Sequence, residues 1–199
     1  MKRALAILLA ALLALGLAAC GRDTKEEGTV FGQGSASLIL VADFSCGSEE
    51  PNRKEYTWRY DDGGNGPAVM DMAAALSELT GLDFALLDVT AAGSTGMLVD
   101  WSPEGSLFGM GEREQKEEFF LFDYDSTVWF MLDSLYQTIV RNIPAMRTKD
   151  IFFTMDGGKE LALENLAYPG TFTLDTPYMG SAFYFAHAGG RGDDIDAVG

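Results

Sequence analysis

Basic residues and histidine are scarce in this chain. Lys and Arg number 14 against 30 Asp and Glu, and there is one histidine, His187, giving a formal net charge of −16 at pH 7. Nucleic-acid affinity rests on neutralising phosphates with basic groups, so this balance argues against a nucleic-acid partner. It argues equally against adhesion to an anionic lipid surface through protein charge. One histidine and two cysteines, Cys20 and Cys46, fall short of the several Cys or His ligands of a zinc site. No metal or cofactor is expected. A Ser/His/Asp or Cys46/His187 arrangement would need His187 as its base. That residue lies beside Gly189-Gly190 in a segment read as a tail, where a surface histidine without a role is the simpler reading.

Long apolar runs are missing everywhere except at the start. Lys2 and Arg3 form a short positive region, and residues 4–19 contain only Ala, Leu, Ile and one Gly, ending at Cys20. A charged start, an apolar centre and small residues before a cleavage point mark a signal peptide. About 16 uncharged residues make roughly 24 Å of helix, short of the roughly 30 Å hydrocarbon core. No stop-transfer pattern follows, so the segment reads as residues to be removed (1–19) and not as a permanent span.

Leu17-Ala18-Ala19-Cys20 resembles the lipobox of bacterial lipoproteins. The resemblance implies a diacylglycerol thioether on Cys20 and a mature chain that begins there. Two or more acyl chains anchor a protein stably. The expected location is the outer face of the cytoplasmic membrane of a Gram-positive-type bacterium, with the membrane contacted through the lipid on Cys20. Cys46 is then the remaining thiol and no intramolecular disulfide forms; a buried, inert cysteine is its expected state. Residues 20–34, rich in Gly and charge, read as the lipidated cysteine and a flexible tether.

About 165 residues remain, enough for one domain, placed at 35–186 with a loose tail over 187–199. Residues 37–44 alternate Leu38, Leu40 and Ala42 against Ile39 and Val41, apolar on both faces, as in an interior strand. Tyr56, Trp58 and Tyr60 alternate in a short strand or flap. Pro67 opens a helix over 67–80 with Val69, Met72, Leu76 and Leu79 on one stripe, and Gly81 stops it. Residues 83–90 and 95–101 form a hairpin, with Ala85, Leu87 and Val89 facing one way in its first strand. Asp88 and Asp100 stand opposite the regular apolar sets, either facing solvent or, for Asp100, capping the following turn. Residues 112–118 are a solvated charge run, after which Phe119, Phe120 and Phe122 return the chain to the core. A second helix, 126–143, carries Val128, Met131 or Leu132, Leu135, Ile139 and Ile143, capped by Ser126, Asp125 or Asp123 and ended by Pro144. A strand over 150–155 leads into the turn Asp156-Gly157-Gly158-Lys159. The result is an α/β chain of the α+β kind. One small mixed sheet carries two helices on one face, in the order β–α–β–β–α–β.

This order of motifs resembles the GerMN domain of bacterial sporulation and germination lipoproteins. The residues carrying the resemblance are Leu76-Ser77-Glu78-Leu79-Thr80-Gly81, Val99-Asp100-Trp101-Ser102, the helix 126–143, and Phe152-Phe153-Thr154-Met155-Asp156-Gly157-Gly158-Lys159. It spans about residues 37–176. Departures are Trp101 where Leu is usual, the additional Gly before Lys159, a long insert after Ser102, and a poor match between Phe44 and Asn65. The resemblance implies a fold like the ring-building modules of secretion systems, with no established catalysis. It implies an envelope protein or self-association as partner, and architectural roles for Gly81, Asp100, Asp156 and Gly157. Asp156 would accept local N–H bonds in its turn, where Gly157 permits positive φ.

Candidate chemistry elsewhere is thin. Two carboxylates about 5–9.5 Å apart across a cleft would serve a glycosidase; Asp123 and Asp125 share a local spacing, as do Glu112 and Glu114, but nothing in the sequence ties either pair to a pocket. A cell-wall or polysaccharide hydrolase is therefore the rival reading, with a solvated acidic surface the simpler one. Asp61-Asp62-Gly63-Gly64-Asn65-Gly66 has calcium-type oxygen ligands but lacks the twelve-position loop and its closing Glu. No Lys-Ser/Thr pair follows these glycines to make a phosphate loop. Arg191-Gly192-Asp193 is a short chance match to an attachment tripeptide. No enzyme activity is expected.

Overall fold

The computed structural model describes residues 30–61, 63–64, 66–94, 96–109, 115–166 and 170–188. The expected signal peptide, Cys20 and the start of the expected tether lie outside the described residues, as do Glu112, Glu114 and Arg191-Gly192-Asp193. The class is α+β, and its strands divide into two sheets. The first has the order β1–β3–β2, with β2 (Ala36–Asp43) antiparallel to β3 (Arg53–Tyr60) and β1 (Val30–Gly32) parallel to β3 on its other side. The second runs β4–β5–β6–β7–β8, built from Leu86–Ala92, Gly96–Trp101, Asp150–Met155, Lys159–Leu163 and Gly170–Phe172. Its central pair, β5 and β6, is parallel, and parallel neighbours need a long crossover. Helix α2 (Tyr124–Asn142) lies within that crossover. Helix α1 (Val69–Thr80) connects the two sheets, and α3 (Ser181–Ala188) follows β8.

The expected β–α–β–β–α–β order is present, with further strands added to it. The single sheet is not, and α2 supplies the reason. The N–H groups of Ile39, Val41 and Asp43, on β2, donate to Asn142 Oδ1, Thr138 Oγ1 and Ser134 Oγ at 2.9, 3.0 and 3.0 Å. Asn142 Nδ2 donates back to Ile39 O at 2.7 Å. Four residues of α-helix rise about 6.0 Å and two residues of strand about 6.6 Å, so side chains at i, i+4 and i+8 stay in register with alternate strand residues. The helix edge substitutes for a neighbouring strand. No strand of the second sheet can pair where these donors are already taken.

This arrangement explains why α2 is buried far beyond its apolar stripe. Trp129, Phe130, Asp133, Ser134 and Thr138 are as enclosed as Val128, Leu135 and Ile139. Asp123 caps the helix, its carboxylate accepting Ser126 N–H at 2.7 Å and Ser126 Oγ–H at 2.8 Å. Helix α1 starts two residues later than the sequence suggests. Ala68 is still extended (φ −80°, ψ 152°), so Pro67 precedes the cap and does not occupy the first helical position. Gly81 closes α1 in the left-handed region at φ 84°, donating to Ser77 O.

Other expectations shift for local reasons. Tyr56, Trp58 and Tyr60 lie in the middle strand of the first sheet, with Trp58 paired in register to both Phe31 and Leu38. Strand β1 occupies residues assigned to the tether, and α3 extends to Ala188, inside the assigned tail. A bulge between Leu86 and Asp88 turns Leu87 outward, leaving it half-exposed. Phe119 is buried against Phe44 and Tyr56, whereas Phe120 and Phe122 are 54% and 94% exposed. Their rings contact each other edge to face at 5.2 Å. Among the described residues no helix is long and apolar enough to cross a membrane.

Candidate functional site

Asp100, Asp156 and Gly157 come together where β5 and β6 end. Asp100 is buried, and its two carboxylate oxygens accept Thr154 Oγ1–H at 2.8 Å, Gly157 N–H at 2.9 Å and Gly158 N–H at 3.0 Å. The turn donors expected to bond Asp156 therefore go to Asp100, more than fifty positions earlier in the chain. Asp100 caps a turn, but this one and not the turn that follows it in sequence. Asp156 instead holds positive φ (48°) and pairs outward with Lys159. Gly157 continues that turn at φ 85°. Asp88 is exposed, directly across from Asp100 on β4. Gly81 sits apart at the end of α1.

A second group of buried ionisable side chains lies elsewhere, between α2, α3 and the loop joining β2 to β3. Asp133 on α2 is 3% exposed. It accepts Tyr178 O–H at 2.7 Å and Ser181 N–H at 2.9 Å, and it also accepts Ser181 Oγ–H. Ser181 opens α3, so Asp133 caps that helix from another element, where the positive end of the helix dipole favours a carboxylate. Burial raises the Asp133 pKa above the ordinary carboxyl value, opposed by the bonds from Ser181 and Tyr178, while the Asp43 charge adds to the rise. Tyr178 is pushed well above the usual phenol range by burial and by that carboxylate. Gly47 N–H completes the junction by donating to Ser181 Oγ at 2.8 Å.

Asp43, 1% exposed, is the second buried acid here. It accepts Arg53 Nε–H at 2.7 Å and bonds from Ser45 N–H and Oγ–H. A cavity of about 80 Å³ is lined by both residues. Cys46 lies alongside, its thiol donating to Ser126 O at 3.5 Å. Burial first, then the charges of Asp133, Asp43 and Asp123, push this thiol up to about 12. A thiol so placed stays protonated and unreactive at neutral pH.

Chemically, this cluster is a clamp. The oxygens of Asp43 and Asp133 are committed to internal donors, as are those of Asp100 at its own turn; Asp133 and Asp100 join segments distant in sequence, while Asp43 ties the two ends of the β2–β3 loop. Sequence reasoning missed Asp43, Asp133, Ser134, Thr138 and Ser181. The available signal was a polar residue every fourth position (Ser134, Thr138, Asn142) along α2, a helix whose other polar residues obscure it.

The remaining candidates separate. Both Asp123 oxygens are bonded to Ser126, which takes Asp123 out of a pairing with Asp125. Asp61 accepts Ser35 N–H at 3.3 Å; Asp62 and Asn65 lie outside the described residues. Among the described residues no group of three His, Cys, Asp or Glu is placed to hold a metal ion. His187 belongs to α3 by its backbone, and its side chain lies outside the described residues. Compared with known proteins, the chain matches no family model, no curated protein and no solved structure.

Proposed function

We propose that this chain is a non-catalytic, lipid-anchored extracytoplasmic module that binds another envelope protein or a second copy of itself. The GerMN-like order of motifs extends the proposal to an envelope assembly of the sporulation or germination kind. The observation that carries the binding reading is the exposed Phe120–Phe122 pair on a strongly acidic chain. Adjacent exposed aromatics on a charged surface are characteristic of contact sites. The commitment of Asp43, Asp100, Asp123 and Asp133 to the framework favours this over the hydrolase reading. Lipid on Cys20 keeps the contact surface near the bilayer, because the roughly ten residues up to Val30 reach at most about 36 Å.

The test is a photo-crosslinking residue at position 122 in the membrane-bound protein, with the same group at Glu104 as control. Discrete adducts from position 122 alone are expected, and they disappear in an unanchored Cys20→Ser protein. Identical adducts from both positions, or none, would overturn the binding reading. A Cys20→Ser protein that stays fully membrane-bound in low and high salt would overturn the anchor.

A further inference from the structure

Two concavities flank the outer face of α1. One, of about 440 Å³, lies between the helix and residues 83–86, walled by Met70, Ala73, Phe84 and Leu86. The other, of about 220 Å³, lies between the helix and the end of β3, walled by Trp58, Tyr60 and Ala75. They share Ala74 and Glu78, so they are one groove system straddling the helix. The pattern follows from helical spacing. Asp71, Ala74 and Glu78 fall at steps of three and four, placing a small exposed residue between two exposed acids.

The larger concavity is more apolar than polar and the smaller is evenly mixed; the acids lining them are Asp61 and Asp71 on one side, Asp83 on the other and Glu78 between, and among the described residues no Lys, Arg or His lines either. Lys116 lies nearby, with its ammonium on the Glu78 main-chain oxygen at 2.5 Å, outside both linings. Aromatic and aliphatic walls under a carboxylate rim are complementary to side chains with apolar stems and cationic ends. From this geometry we infer that the α1 groove is a docking site for a basic, amphipathic segment of a partner protein, whose Lys or Arg stems lie over Ala74 and whose charges meet Asp71 and Glu78. The inference rests on the protein-binding reading above and adds a second surface, distinct from the Phe120–Phe122 pair.

The test uses the full mature lipoprotein in neutral-lipid nanodiscs and, as probe, a lysine/leucine peptide of about 12 residues, long enough to overlay the exposed face of α1. Fluorescence anisotropy should show saturable binding that weakens as salt rises. Glu78→Lys should weaken binding about tenfold or more, because a rim carboxylate becomes a like charge, while Glu164→Lys on the distant β7–β8 turn changes it less than about twofold. Ala74→Trp, which fills both concavities from an exposed helix position without altering charge, should also weaken it about tenfold. Thermal melting of each variant confirms that the fold persists. Equal weakening by Glu78→Lys and Glu164→Lys would overturn the site by showing general attraction to an acidic protein. Unchanged binding in Ala74→Trp would overturn it by shape. Self-association of the unmodified protein, blocked by Ala74→Trp with no peptide binding, would assign the groove to a second copy and overturn the proposed occupant. Crosslinking from position 122 is independent of all three outcomes, so this inference and the general binding reading fail separately.

Discussion

Replacing Thr138 by Val tests the strand-like role of α2 most directly. The substitution nearly preserves shape and removes the hydroxyl that accepts Val41 N–H at 3.0 Å. Thr138 is fully buried and Val41 is 4% exposed, so water cannot take over the bond. An unsatisfied buried donor costs about 1–3 kcal/mol, and exchanging hydroxyl for methyl in an apolar site recovers less than about 1 kcal/mol. A net loss of about 1–2 kcal/mol follows, lowering the melting temperature of a domain this size by about 3–6 °C. Urea unfolding followed by tryptophan fluorescence reads the stability. Amide hydrogen exchange supplies the site-specific readout: Val41 should lose protection, while its neighbour Leu40 changes only with global stability. Thr138→Ser keeps the acceptor and should leave relative protection at Val41 intact, despite losing a methyl group. A Val variant as stable as the parent, with Val41 protection unchanged, would refute the edge-pairing argument.

Three further expectations concern single buried groups. Asp100→Ala leaves Thr154 Oγ1–H and two turn N–H groups without their acceptor, at a cost of about 2–4 kcal/mol in urea unfolding, with Asp100→Asn intermediate; a loss below about 0.5 kcal/mol would contradict the anchoring role. Trp101 Nε1 is buried without a hydrogen-bond partner among the described residues. Trp101→Phe should therefore lose less than about 1.5 kcal/mol, because relief of that donor offsets the cavity, whereas a loss above about 3 kcal/mol would mean the indole N–H is satisfied. Cys46 has its thiol pKa raised from 9.0 to about 12. At pH 8 its iodoacetamide alkylation should run about 10³-fold slower in the folded than in the urea-unfolded protein, and a ratio below about tenfold would refute the burial. The folded state holds this proton more tightly than the unfolded state. The associated stability is therefore present below pH 9 and lost as pH rises from 9 towards 12.

Much of the chain's organisation follows from local rules. The charged, apolar and small-residue succession ending at Cys20 is readable without a structure, because a signal-peptide pattern is a linear one, and the export it suggests belongs to the proposal. The stop of α1 at Gly81 is equally local, since left-handed φ favours glycine. The strand 150–155 and the turn at Asp156-Gly157 also stand where alternation and turn chemistry place them. What only the tertiary structure decided is where polar groups find partners. Ser134, Thr138 and Asn142 have no assigned partner until β2 lies against them, and that contact divides the strands into two sheets. Asp100 reads as exposed or capping the next turn until β5 and β6 run parallel and bring Gly157 and Gly158 to it. Phe120 and Phe122 read as core because hydrophobicity alone cannot tell a side chain that finds a cavity from one left outside. A hydrogen bond between residues about a hundred positions apart leaves no period in the sequence. Helical and strand spacing report only which residues share a face, and the fold decides what that face meets.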